Sequence, residues 1–538
     1  MIISQELSCY ICNPLNYLFC FFVIILLISL CFRQVRNSFL KIKKRTWILL
    51  IIIFLLASFF RFSGSHYHFV FYDEHYLNTM ARNILLHNTA GQCTYSSFIS
   101  DQVYCANTIQ PFTGWSVIIS ISYFLFGINE SISFYLTSFI GSFTVVLVFL
   151  LSYLLFKKES YALTASFLIA ICSFHISWSK STTSTIFALF LVMLVLLFQL
   201  LYCKTRISKF NFIMILLYAY LIQTRIEFIM YIPLIFLTYF LFLNFFRTKI
   251  LHLIYSWLLF SSLIIFYIPQ VQRIMINSPT LDSSSRFLIL FPSMLMKYLT
   301  GVYQPNFLYI FLFIGLIFSL IKYRKQSLFI IFSYVIALLS YTTFSSLSGV
   351  IFLRYYLLNI VFIVILQGIG ISIILNIITS KIKHYKKAIS FLLIFLTLLI
   401  IFVPTYTMIK DGFLVTNYQV LTSKIPEFAK SYLNQDCFVI ASRYDELMFS
   451  SGTLFKTILI NNFMPYFRKD PLILNDPFLC VIYYEGKACR GPFSDPVSKR
   501  ECNLMRDMFK VKPLISYKFV SENHNIYALI PKDKNAKT

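Results

Sequence analysis

Charge is scarce in this chain. Only 12% of its 538 residues are Asp, Glu, Lys or Arg, and 58% are hydrophobic; a soluble protein keeps roughly a quarter of its residues charged. Acids are the scarcer sign and are unevenly placed, with 8 of the 21 before residue 410 and 13 after it. The deficit excludes a water-soluble fold for the first three quarters and leaves the last quarter as a water-facing region. Alternating apolar and polar runs are also lacking, which excludes a closed β-barrel. The net charge of +25 does not mark a nucleic-acid surface. Its bases sit in short clusters between apolar runs, the pattern by which membrane proteins hold an anionic leaflet. Membrane lipids are the expected partners, and no nucleic acid.

Apolar runs long enough to span occur at 15–32, 46–62, 131–156, 160–178, 183–203, 226–246, 251–269, 306–321, 327–344, 354–378 and 388–403, with a shorter one at 210–222. That is about 12 helices, each near the ~20 residues a bilayer requires. The connections 33–45, 157–158, 204–209, 247–249, 322–325 and 381–387 hold 20 of the 28 Lys and Arg before residue 410. They fall on alternate connections, so they mark the cytoplasmic side. The alternation requires that 113–126, apolar but about 14 residues long, does not cross; it reads as a re-entrant or interfacial helix on the outside. The 63–112 loop and the tail after Lys410 are then external. The N-terminus is external too if 15–32 is a span; the alternative is a signal-like segment, although no convincing small-residue cleavage site follows it. Cys93 and Cys105 share the first external loop, and Cys437, Cys480, Cys489 and Cys502 lie in the tail. Even counts permit disulfides there if the compartment is oxidising.

Charges retained in a lipid-embedded region are costly and mark functional sites. Outside the cytoplasmic clusters most of them fall at the external ends of helices: Asp73, Glu74, Arg82, Lys180, Arg225, Glu227 and Arg354. Acids and bases beside apolar walls suit a charged amphiphile. The stretch 72–85 is periodic for an amphipathic helix: Tyr76, Leu77, Met80, Ala81 and Ile84 share one side. Glu74, Asn78 and Arg82 share the other, four apart, where Glu74 and Arg82 brace one another through Asn78. Asp73 and Glu74 open the helix, where its dipole favours negative charge. Acids at that position are also ordinary helix caps, and cations at helix ends also anchor phospholipid headgroups.

The loop opening with Tyr72-Asp73-Glu74, followed by Tyr76 and Ala81, resembles the lipid-phosphate-sugar glycosyltransferases of the GT-C fold. Dolichyl-phosphate-mannose–protein mannosyltransferases and bacterial lipid A aminoarabinose transferases are of this kind. The resemblance continues in Gln110-Pro111-Phe112-Thr113-Gly114-Trp115, the 125–130 turn, Ser177-Trp178-Ser179-Lys180, Gln223-Thr224-Arg225-Ile226-Glu227 and Arg354-Tyr355-Tyr356-Leu357. It covers most of 46–410. Many relatives have a second proline where this chain has Phe112, and an acid where it has Ser184 and Thr185. The resemblance implies a GT-C-like polytopic α-helical membrane protein that moves a hexose- or pentose-type sugar from a polyprenyl-phosphate donor to a protein, lipid or glycan acceptor. Asp73 would be the general base, which a carboxylate at a dry interface can be, and Glu74 would share the catalytic site. Lys180, Arg225 and Arg354 would hold the donor phosphate, with Tyr76, Arg82, Glu227 and Tyr355 positioning substrate.

No cofactor is required by this chemistry. His66, His68, His75 and His87, with Glu74, form a loose set for a divalent metal. The tail carries short strand-like runs at 436–441, 457–460 and 478–483, a helix at 496–509 and a turn at 521–525. The organisation expected is an extra N-terminal helix and basic loop (1–45), a transmembrane catalytic region (46–410) with external loop 63–130, and a small extracytoplasmic α/β domain (411–538). The chain would be multi-pass in the cell membrane. A transporter or flippase of lipid-linked glycans is an alternative, though such proteins carry midplane charges or repeated halves. A polysaccharide ligase or polymerase is another, with its key residues in a later loop.

Overall fold

The computed structural model describes residues 14–63, 72–88, 93–95, 103–105, 113–243, 257, 307–348, 357–381, 438–441, 456–459, 481–485, 496–519 and 522–531. Helix α1 (Pro14–Leu30) continues through a bend into α2 (Phe32–Phe39), and α3 (Lys44–Phe62) follows. Next come α4 (Tyr72–His87), a hairpin of β1 (Cys93–Tyr95) and β2 (Val103–Cys105), and α5 (Thr113–Phe126). The bundle is completed by α6 (Glu130–Phe156), α7 (Glu159–Ile171), α8 (Ser173–Ser179), α9 (Ser184–Thr205) and α10 (Ser208–Thr224), then a 3₁₀ turn (Ile226–Tyr231) and α11 (Ile232–Phe242). Three further helices are α12 (Leu308–Lys322), α13 (Arg324–Ser348) and α14 (Leu357–Lys381).

Among the described residues, 4 helices are long and apolar enough to cross a membrane: α3, α6, α9 and α14. The number is 6 if each of two bent pairs is one span. The runs predicted at 251–269 and 388–403 lie outside the described residues. Two predicted elements are bent. The basic stretch 33–45 is partly helical, because α1 bends by 52° into α2. The 160–178 run is broken into α7 and α8, bent by 60° at Cys172.

Local chemistry sets the boundaries. The Asn129 side chain accepts the Ser131 N–H at 2.9 Å and caps α6, as short polar side chains do at helix starts. Gly127 before it has φ +87°, where a Cβ would be strained. Helices α6, α7, α9, α10 and α14 form the enclosed core, and α3 lies at the periphery with Ile48, Ile51, Ile52, Leu55 and Phe59 exposed. Such a face suits hydrocarbon, where apolar exposure carries no cost.

The two ends of the bundle differ chemically. At one end Glu159 accepts from the Lys43 N–H at 3.2 Å and from Thr46 Oγ1 at 2.5 Å. Lys204 donates to the Leu154 carbonyl, and Tyr323 meets Phe156 edge-on at 5.3 Å. The basic connections after α2, α6, α9 and α12 therefore gather at that end. Lys157 is pushed below the usual lysine range there, by partial burial and then by Lys41. The orphan charges gather at the opposite end.

The tail forms a five-stranded sheet of order β4-β3-β5-β7-β6. Its strands are β3 (Phe438–Ala441), β4 (Lys456–Leu459), β5 (Val481–Glu485), β6 (Phe509–Phe519) and β7 (Glu522–Pro531), with α15 (Pro496–Met508) before β6. Strand β3 is parallel to β4 and β5, and β5, β7 and β6 are antiparallel. The predicted turn at 521–525 is tighter than expected: Phe519 already pairs with Glu522, so 522–525 are strand. The register slips between Pro513 and Ile515, as a residue without an N–H forces on a ladder. Strand β1 lies beside edge strand β4. The hairpin register sets Cys93 opposite Cys105, and Cys502 is disulfide-bonded.

Candidate active site

Glu74, in the first turn of α4, is fully buried. One of its carboxylate oxygens accepts from Ser181 Oγ at 2.5 Å and from the Thr182 N–H at 2.8 Å. Asn78 donates to the Glu74 carbonyl at 2.8 Å and to Thr182 Oγ1 at 3.1 Å, and accepts from Tyr123 OH at 2.5 Å. Trp115 Nε1 holds the Thr182 carbonyl at 2.8 Å. The 181–182 segment is thus gripped from α4 and α5 together. A buried carboxylate needs such donors, since an unsatisfied one costs several kcal/mol or more. The polar side of α4 is therefore turned inward. Asn78 serves Thr182 and Tyr123 instead of bridging Glu74 to Arg82. Asp73 precedes Glu74 in the same turn, and Tyr76 and Arg82 are half-buried further along.

The second charged group lies where α10 ends. Arg225 leaves the helix in an extended conformation and opens the 3₁₀ turn. Its Nε pairs with Glu227, and its Nη1 donates to Thr185 Oγ1 at 2.9 Å. Thr185 is a neutral acceptor for Arg225. Tyr220 OH donates to the Gly114 carbonyl at 2.8 Å. A Cβ at Gly114 would sit 2.7 Å from Thr224 Oγ1, so glycine is what lets α5 rest on the end of α10. Lys180 donates to the Ser63 carbonyl at 2.8 Å. Burial first, then the Arg61 charge, push its ammonium down to about 8. Lys180 is 8% exposed and Arg225 3%. Both are enclosed, unlike headgroup anchors, which keep the charged end in water.

Sequence reasoning missed Arg61. It lies near the end of α3, is fully buried, and directs five hydrogen bonds. Nη1 reaches the carbonyls of Ala57 (2.8 Å) and Ala170 (3.1 Å). Nη2 reaches the Ile169 carbonyl (3.2 Å) and His175 Nδ1 (2.7 Å), and Nε reaches Ser179 Oγ (3.3 Å). The signal was present as a lone arginine in Phe59-Phe60-Arg61-Phe62, a charge inside an apolar run.

No protein-family profile matches this sequence, and no curated protein does. Solved structures do. ArnT from Cupriavidus metallidurans bound to undecaprenyl phosphate matches with a TM-score of 0.56 at 10% identity, over 90% of this chain and 98% of that one. The same protein in the apo state matches at 0.53 and 11% identity, over 89% and 97%. The Archaeoglobus fulgidus oligosaccharyltransferase, tethered by a disulfide to an acceptor peptide with the NVT sequon, matches at 0.51 and 11% identity, over 92% and 75%. The chain has the GT-C fold.

Within this GT-C chain the structure brings together Glu74, Lys180, Arg225 and Glu227 at one end of the bundle, with Thr185 and Arg61 added. Arg354 and Tyr355 lie outside the described residues, as do His66 and His68 and the side chains of Asp73 and His75. Among the described residues no group of three or more His, Cys, Asp or Glu could hold a metal.

Proposed function

We propose that this protein is a membrane glycosyltransferase that moves a hexose- or pentose-type sugar from a polyprenyl-phosphate donor to a hydroxyl- or amide-bearing protein, lipid or glycan acceptor. The observation that carries the reading is the cluster built by α4, the 180–185 segment and the 224–227 turn at the end of a GT-C bundle. It holds enclosed cations and carboxylates beside apolar walls, which suits a lipid whose head is anionic. ArnT, of the same fold, is known bound to undecaprenyl phosphate, and the archaeal oligosaccharyltransferase is known tethered to an acceptor peptide.

In this reading Asp73 is the general base for the acceptor, and Glu74 holds the 181–182 segment beside it. Lys180, Arg225 and Arg354 neutralise the phosphate as it leaves; preorganised cations are most effective where charge develops in a dry site. Arg225 already has a carboxylate partner in Glu227, so the phosphate would share or replace that contact. Tyr76, Arg82 and Tyr355 position substrate. The site and the tail face outward across the cell membrane, a side on which the Cys502 disulfide is chemically at home.

The test is incubation of the purified full chain in lipid nanodiscs with polyprenyl-phosphate sugars carrying a labelled sugar. Transfer of label to an added membrane extract, with release of polyprenyl phosphate, is expected. Donor left intact across pentoses, hexoses and amino sugars would defeat the proposal.

A further inference from the structure

We infer that Arg61 is a positioning residue: its guanidinium replaces the backbone donors missing at the α7–α8 break, and so sets the 180–182 segment against Glu74. The inference rests on the reading of that segment as part of the active site.

In a continuous helix the carbonyls of Ile169 and Ala170 would accept from the N–H groups of Ser173 and Phe174. Cys172, at φ −63° and ψ 113°, interrupts that ladder. Freed backbone acceptors inside a membrane must find other donors. Arg61 supplies them, with N–H groups at 3.2 Å from Ile169 and 3.1 Å from Ala170. Its remaining bonds tie the same guanidinium to α3 through Ala57 and to α8 through His175 and Ser179. All five donors of the guanidinium are therefore placed, and it offers none to a ligand.

A second set of contacts holds this junction. Ser138 Oγ on α6 lies 3.1 Å from the Arg61 carbonyl and 3.0 Å from the Ser179 carbonyl. Gly141, one turn further, leaves the space that Ser179 and Arg61 fill: a Cβ there would clash with Ser179 Oγ and sit 2.7 Å from Ser179 Cβ. Helix α8 thus has one seat, and its C-terminus delivers Lys180, Ser181 and Thr182 to Ser63 and Glu74. Lysine has neither the planar fork nor enough donors to repeat this arrangement.

The experiment compares wild type, Arg61→Lys, Arg61→Met and Gly141→Ala in nanodiscs. It reads steady-state transfer together with amide hydrogen exchange. In Arg61→Met the Thr182 amide, which Glu74 holds in wild type, should exchange faster while α12 and α14 keep their protection. Turnover should fall about tenfold or more with donor KM little changed, since a misplaced group away from the chemistry costs up to ~10²-fold. Arg61→Lys should lie between, and Gly141→Ala should show the same split although its guanidinium is intact. Unchanged exchange at Thr182 in Arg61→Met overturns the inference, as does faster exchange there with wild-type turnover. Should Arg61→Met lose protection throughout, Gly141→Ala decides on the same two readouts. Should wild type transfer no sugar, the glycosyltransferase reading falls, and exchange at Thr182 alone still decides the role of Arg61.

Discussion

Asp73 and Glu74 are adjacent in the chain, and different roles are proposed for them. Glu74 is a buried acceptor for the 181–182 segment, whereas Asp73 is the proposed base. Asp73→Asn keeps the size and the capping ability at a helix start. It should insert normally and lose transfer by at least the ~10²–10⁴ that a general base contributes; turnover per mole of inserted protein is the measurement. Lys180 sets a pH dependence. With its ammonium pushed down to about 8, the charged form proposed to grip phosphate is lost as pH rises through that value. Donor affinity should be flat below neutrality and fall about tenfold per pH unit above ~8, a slope that Lys180→Gln should remove. Arg225 and Glu227 are a buried pair. Arg225→Ala alone leaves a carboxylate enclosed without that partner, at a cost of about 3–5 kcal/mol. The Arg225→Ala, Glu227→Ala double variant should therefore unfold at a higher temperature than the Arg225→Ala single variant.

Element boundaries were legible where the cause was local. The 496–508 helix, the 113–126 helix and the capped start of α6 follow from residues within a turn or two of the boundary. The α7–α8 break was not legible. The 160–178 run contains neither Pro nor Gly, the usual causes of a kink, and its stabilising partner lies 109 residues away at the Arg61–Ala170 contact. Helices α12 and α14 cross on glycines in a similar long-range way. A Cβ on Gly315 would clash with the Leu366 carbonyl, and one on Gly370 with the Phe311 carbonyl. Small residues allow that approach where no water drives helices together. Gly370→Leu should cost about 1–3 kcal/mol through overpacking, read as a lower thermal midpoint in detergent.

At the scale of the molecule, the separation of two chemical ends makes sidedness testable. Lys41, Lys158 and Arg206 belong to the basic end, and the proposed topology sets the tail helix on the opposite side of the membrane. In a cysteine-free background an impermeant thiol reagent applied outside should label cysteine at Lys499 and spare cysteine at Lys158. The reverse pattern would invert the proposed topology and remove the extracytoplasmic site with it.

The amino-acid sequence by itself determined that this is a membrane protein, where most of the described apolar helices begin and end, and which charges stand apart from the basic clusters. Those are properties of composition and of residues near one another in the chain, and hydrophobic burial reads them directly. Tertiary structure alone decided what each charge touches. Glu74 meets Thr182 across 108 residues and Arg225 meets Thr185 across 40, while Arg61 serves carbonyls that only a break in another helix sets free. A buried polar group must be satisfied by whatever packing brings within hydrogen-bond reach. No periodicity in the sequence records which distant group that is.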